Sequence, residues 1–207
     1  MKQTQSSTDI TSGYPTKEEA EHLLAEAVAL NPGQWGNHSR TSAHCARAIA
    51  MKCPGMDPEK AYTLALLHDI GRRFGSRHLG HVIDGYSYML SLGYPVVARI
   101  CLTHSFQNLS LDDYIGKRDV SEQELKLIED TLHSVSLDDY DRLIQLCDAL
   151  AGPEGVLDIR ERMNEIKQRY GFYPQKKRDS NLALKDYFEQ KVGENIYVLT
   201  DKANYRP

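Results

Sequence analysis

The chain has 207 residues, the length of one domain with at most a small extension, so two full domains are not expected. At 41% hydrophobic and 26% charged residues its composition is that of a globular protein, which excludes bulk disorder, collagen-like repeats and a coiled-coil rod. A formal charge of −4 argues against a nucleic-acid polymer as partner, no apolar run reaches the roughly 18 residues of a membrane span, and the opening MKQTQSSTDITSG lacks the apolar stretch of a signal peptide, so a soluble cytoplasmic protein is expected.

Helical periodicity dominates the chain, and an all-α, single-domain helical bundle is expected. Residues 1–15 are rich in Ser and Thr and read as a flexible tail. Thr16 with Glu19 forms a capping box opening a helix to about Leu30, which Asn31-Pro-Gly33 stops. A second helix carries His38 and runs to Pro54-Gly55. Asp57-Pro58 then opens PEKAYTLALLHDI, a helix expected to close at Gly71. Helices over about 79–92 and 95–104 come next, followed by a long polar stretch over 106–120 placed to act as a lid.

Ser121 and Glu124 make another capping box, ahead of a stripe of Leu125, Ile128, Leu132 and Val135. A helix over 137–150 precedes one opening at Pro153, whose Val156, Ile159, Met163, Ile166 and Tyr170 read as core. The segment 171–207 is expected to be a loop and a last helix from Ser180, packing on a domain of residues 16–170. The basic run Lys176-Lys177-Arg178 falls in that loop and reads as solvated, with contact to a substrate phosphate the lesser alternative. Cys45, Cys53, Cys101 and Cys147 are dispersed without a C-x-x-C pair and read as buried thiols in a reducing compartment.

Asp148 is the most informative residue, because it interrupts the apolar run LIQLCDALA and a buried carboxylate needs a base or a metal beside it. His68-Asp69 ends another apolar helix. His38 lies near the start of one helix, His104 at the end of another, and His81 precedes Gly85 by four residues, beside a gap where a second backbone can approach. Separate helices thus each deliver a His or Asp, which is how a bundle builds an internal metal site. His and carboxylate ligands without thiolates suit iron, manganese, nickel, magnesium or zinc. His44 reads as packing or surface, His22 and His133 as surface, and His78 as able to exchange roles with His81.

The ordered set His38, His68-Asp69 and Asp148, with the pair in LLHDIGR, resembles the HD superfamily of metal-dependent phosphohydrolases over about residues 20–170. The resemblance implies an all-helical fold with the metal site at its centre. His81 in HVIDGY and His104 in LTHS resemble the extra histidines of dinuclear HD proteins, which include dinucleoside tetraphosphate hydrolases and diiron oxygenases. It further implies that His38, His68, Asp69 and Asp148 hold one divalent ion, with Asp69 bridging to a second held by His81 and His104. His104-Ser105 stands where many dinuclear phosphodiesterases have a His-His pair, and Arg72 or Arg73 where a Lys often follows the HD pair.

The implied reaction is hydrolysis of a small phosphomonoester or phosphodiester, read as a nucleotide, by metal-activated water. Asp69, Arg72 and Arg73 are its expected catalytic residues, and Arg40, Arg72 and Arg73 its expected contacts to the phosphate. A mixed-valent diiron oxygenase using the same ligands is the first alternative, and a non-catalytic metal-bound module that senses nucleotides is the second. The oligomeric state stays open.

Overall fold

The structure, a computed structural model, describes residues 13–200. Thr16 and Glu19 form the expected capping box of α1 (Lys17–Leu30), which ends at Asn31. α2 (Trp35–Ala50) follows, and Asp57 caps α3 (Pro58–Leu66) by accepting from the amides of Glu59 and Lys60. α3 closes before the HD pair: His68 and Asp69 lie in a turn that passes into a short 3-10 helix, Ile70–Phe74. α4 (Gly80–Ser91) and α5 (Pro95–Thr103) fall within a residue of expectation. The stretch after them contains one 3-10 turn, Leu111–Asp113.

Ser121 and Glu124 cap α6 (Glu122–Ser134), and Asp138 with Asp141 makes a further capping box on α7 (Asp139–Leu150). The next helix does not open at Pro153. A two-residue antiparallel hairpin, β1 (Ala151–Gly152) with β2 (Gly155–Val156), intervenes, reversing at Gly155 with φ 137°. Asp158 then caps α8 (Ile159–Tyr170), whose expected core stripe divides: Ile159 and Met163 are buried, while Ile166 and Tyr170 face a cavity. Gly171 closes α8 in the left-handed conformation, and α9 (Gln175–Val192) starts directly after Pro174, so the run Lys176-Lys177-Arg178 is helical. α10 (Ile196–Leu199) is the last helix described.

The main core draws Leu24, Ile49, Leu64, Ile100, Ile144 and Phe188 from α1, α2, α3, α5, α7 and α9. Each such side chain contributes about 2 kcal/mol by leaving water. A smaller cluster of Val82, Leu102, Phe106, Ile128 and Leu132 fastens α6 and the loop after α5 to α4. The four cysteines are buried and free, as expected. Gly71 lies so close to α4 that a Cβ there would overlap the His81 carbonyl and the Gly85 amide; this is the close approach that the His81 and Gly85 spacing pointed to.

The tail expected over 1–15 gives way by Gly13, whose carbonyl accepts from Val96 N at 2.9 Å, and Pro15 is buried. Residues 1–12 and 201–207 lie outside the described residues. Among the described residues, no helix is long and apolar enough to cross a membrane.

Candidate metal centre

His38 stands in the first turn of α2, His68 in the turn after α3, and Asp148 in the last turn of α7. These chain ends converge. His38 Nε2 lies 3.0 Å from Asp148 Oδ1 and 3.3 Å from His68 Nε2, and His68 Nε2 lies 3.7 Å from the same carboxylate oxygen. A second group adjoins it, with Asp69 Oδ1 3.0 Å from His81 Nε2 and 3.7 Å from His104 Nε2. Within each group the ligand atoms all fall within 4.8 Å of one another. Ligands about 2.1 Å from one ion sit at such separations, so each group can hold a metal. The His68 and His104 rings, 5.1 Å apart between centroids, join the two groups.

All six expected ligand residues fall in these two groups, and Asp69 stands between them. Asp69 belongs with His81 and His104, whereas its chain neighbour His68 belongs with His38 and Asp148. Asp69 Oδ2 is 4.0 Å from His68 Nε2 and is held by Arg72 Nε at 2.5 Å.

All four imidazoles are oriented from behind. Nδ1 of His38 faces Ala151 O at 3.1 Å, that of His68 faces Ala65 O at 2.6 Å and that of His104 faces Cys101 O at 2.8 Å; Nδ1 of His81 meets His78 O. A carbonyl only accepts, so each Nδ1 carries the proton and each Nε2 presents a lone pair. Two pairs of such nitrogens then face each other, His38 with His68 at 3.3 Å and His81 with His104 at 3.4 Å. Facing lone pairs repel unless a cation lies between them. Asp69 Oδ1 is likewise buried without a hydrogen-bond donor. These unfilled acceptors fit a divalent ion in each group.

The charges agree with that fit. Burial opposes ionisation of Asp69, yet Arg72, His81 and His68 outweigh it and hold the carboxyl well below its usual range. Asp148 is also held well below, the adjacent His38 and His68 rings outweighing its burial. Burial disfavours a charged His68, but Asp69 and Asp148 raise its pKa on balance. Burial and the nearby His68 depress His104 to about 3, which keeps its ring neutral.

The fastening of α5 to α7 lines up the donors. Asp141, Gln145 and Asp148 share one face of α7; Thr103 Oγ1 donates to Asp141 Oδ1 at 2.8 Å, and Gln145 Nε2 donates to Thr103 O at 2.9 Å.

Both groups open into one cavity of about 490 Å³. Its wall carries Arg72, Arg77, Arg162, Arg169 and Lys177, together with the rings of Trp35, Tyr114, Tyr170 and Tyr173. Two expected substrate contacts are elsewhere. Arg40 pairs with Glu21 and lines a separate depression on another side of α2, because its position two residues after His38 turns it to a different helix face. Arg73 points away from the cavity and lies over Tyr88, with its guanidinium carbon 4.1 Å from the ring centroid. His78 is at the cavity wall, where its carbonyl orients His81; His44 packs on Tyr62, and His22 and His133 are exposed.

A profile of the HD domain matches residues 35–152, more than half of the chain, and this span contains all six His and Asp ligands. The chain belongs to the HD domain family. No curated protein and no solved structure matches it. The HD domain match ends before α8 and α9, which supply Arg162, Arg169 and Lys177 to the cavity. Sequence reasoning missed Arg77, Arg162 and Arg169. The seven-residue spacing of Arg162 and Arg169, two turns apart on one helix, was the available signal for that pair. Lys177 was expected in a solvated loop and is instead buried, because Pro174 starts α9 early enough to turn it inward.

Proposed function

We propose that this HD domain protein is a metal-dependent phosphohydrolase of a small phosphorylated substrate, with a nucleotide as the substrate class. One observation carries the reading: the cavity that holds both ligand groups is lined by Arg72, Arg77, Arg162, Arg169 and Lys177. Arg72, Arg77 and Arg162 pair with carboxylates, while Arg169 and Lys177 have none within ion-pairing reach among the described residues, leaving positive charge suited to an anionic ligand. The rings of Trp35, Tyr170 and Tyr173 at the same wall offer faces for a base.

His38, His68 and Asp148 would hold one divalent ion, and Asp69, His81 and His104 a second. When bound, such ions supply a Lewis acid for a phosphoryl oxygen and lower the pKa of water. The remaining steps belong to the chain. Arg72 Nε fixes Asp69, leaving the rest of the guanidinium at the cavity wall to receive phosphoryl charge as it grows. Arg73 and Arg40 have no part in this reading.

The test is phosphate release from a panel of nucleotides with manganese, magnesium, iron or zinc, run beside metal analysis. Asp69→Ala should lose its bound metal and at least 10³-fold in kcat while keeping its helical circular dichroism. A fully active variant would sink the reading. Oxygen uptake with iron and no phosphate release would replace it with oxygenase chemistry.

A further inference from the structure

We infer that Lys177 anchors a second anionic group of the ligand, so that the cavity selects substrates carrying two phosphoryl groups, or a phosphoryl and a carboxylate, over those carrying one. Lys177 enters from α9, outside the residues matched to the HD domain. Its side chain lines the cavity and the residue is only 8% exposed. Among the described residues its Nζ has one hydrogen-bond partner, the Ser105 carbonyl at 2.8 Å, and no carboxylate within ion-pairing reach. An ammonium has three N–H groups, so two remain to meet a ligand in the cavity. Asp148 and Asp113 attract the charge from a distance, yet burial outweighs them and lowers its pKa to about 8. A buried cation so poorly compensated is the mark of a group awaiting an anion.

The next turn of the same helix repeats the pattern. Asn181 also lines the cavity and is fully buried; its Nδ2 donates to Tyr173 Oη at 2.8 Å, and its Oδ1 has no donor. Lys177 and Asn181 are four residues apart and share a face. Together they offer a cation to an anionic oxygen and an acceptor to a hydroxyl beside it. The Ser105 carbonyl places this subsite next to His104, one residue from a metal ligand, so an anion on Lys177 lies close to a group bound between the ligand sets. The identity of the cleaved group rests on the hydrolase reading; the anion subsite does not.

Titration calorimetry of the protein as purified, with inorganic phosphate and with pyrophosphate, measures the selectivity directly. Wild type should bind pyrophosphate at least tenfold more tightly than phosphate. Lys177→Met should reduce that ratio by about 10-fold or more, the worth of a charge-assisted hydrogen bond, and Lys177→Arg should retain most of it. Metal content should be unchanged in both. An unaltered ratio in Lys177→Met, an equal loss for both anions, or loss of metal would overturn the assignment. Because calorimetry needs no turnover, a protein that releases phosphate from nothing yet shows this shift would lose the hydrolase reading and keep the subsite.

Discussion

His104→Ala separates the two ligand groups at the level of single side chains. His104 contributes to the group of Asp69 and His81 and not to that of His38, His68 and Asp148. Metal analysis should therefore show a loss of one equivalent of two, and an unchanged stoichiometry would mean that the second group binds no ion. Lys177 makes a prediction about stability. Its folded pKa of about 8 lies below the ordinary 10.5, so between those values the folded state binds fewer protons than the unfolded one. Wild-type stability then rises with pH across that window, and the penalty for burying the charge is complete below pH 8. Lys177→Met should accordingly be more stable than wild type at pH 7, by about 1–3 kcal/mol after the lost bond to Ser105 is counted. The gap should close toward pH 10 in thermal melts; a less stable variant at pH 7 would show the charge to be well compensated.

Elements set what single residues can do, and the HD pair illustrates this. His68 and Asp69 could be named as ligands from their apolar setting, but the turn that carries them could not be foreseen, because the end of α3 at Leu66 has no Pro or Gly to announce it. Capped starts were legible where Thr16, Asp57 and Ser121 hold the first turn, since that chemistry is local. The β1–β2 hairpin and the early start of α9 were not, because Pro153 and Pro174 fit a helix start and a loop equally well. Arg40 and Arg73 were misplaced for a related reason: sequence distance from a ligand says little about which helix face a side chain takes. The contact between the Ile70–Phe74 turn and α4 gives a further prediction. Gly71→Ala forces a methyl into backbone atoms of His81 and Gly85. It should cost about 1–3 kcal/mol and weaken metal binding by Asp69 and His81 more than by His38 and Asp148, which calorimetry and metal analysis together would show.

For the whole molecule, the ligands come from five helices or their ends and span residues 38 to 148, so bound ions cross-link most of the bundle. Ions that bind only the folded state stabilise it by mass action, by about 2.7 kcal/mol at a hundredfold excess over Kd. Saturating manganese should raise Tm by about 5–10 °C and a chelator should reverse the gain. No change in Tm on loading would argue against ions at the bundle centre.

The two ligand groups are also nested along the chain: Asp69, His81 and His104 all fall between His38 and Asp148. A ribosome releases every donor of the inner trio before it has made the final donor of the outer one. Asp148 is therefore the last donor made, and the polypeptide cannot assemble both groups in full until α7 has emerged and docked.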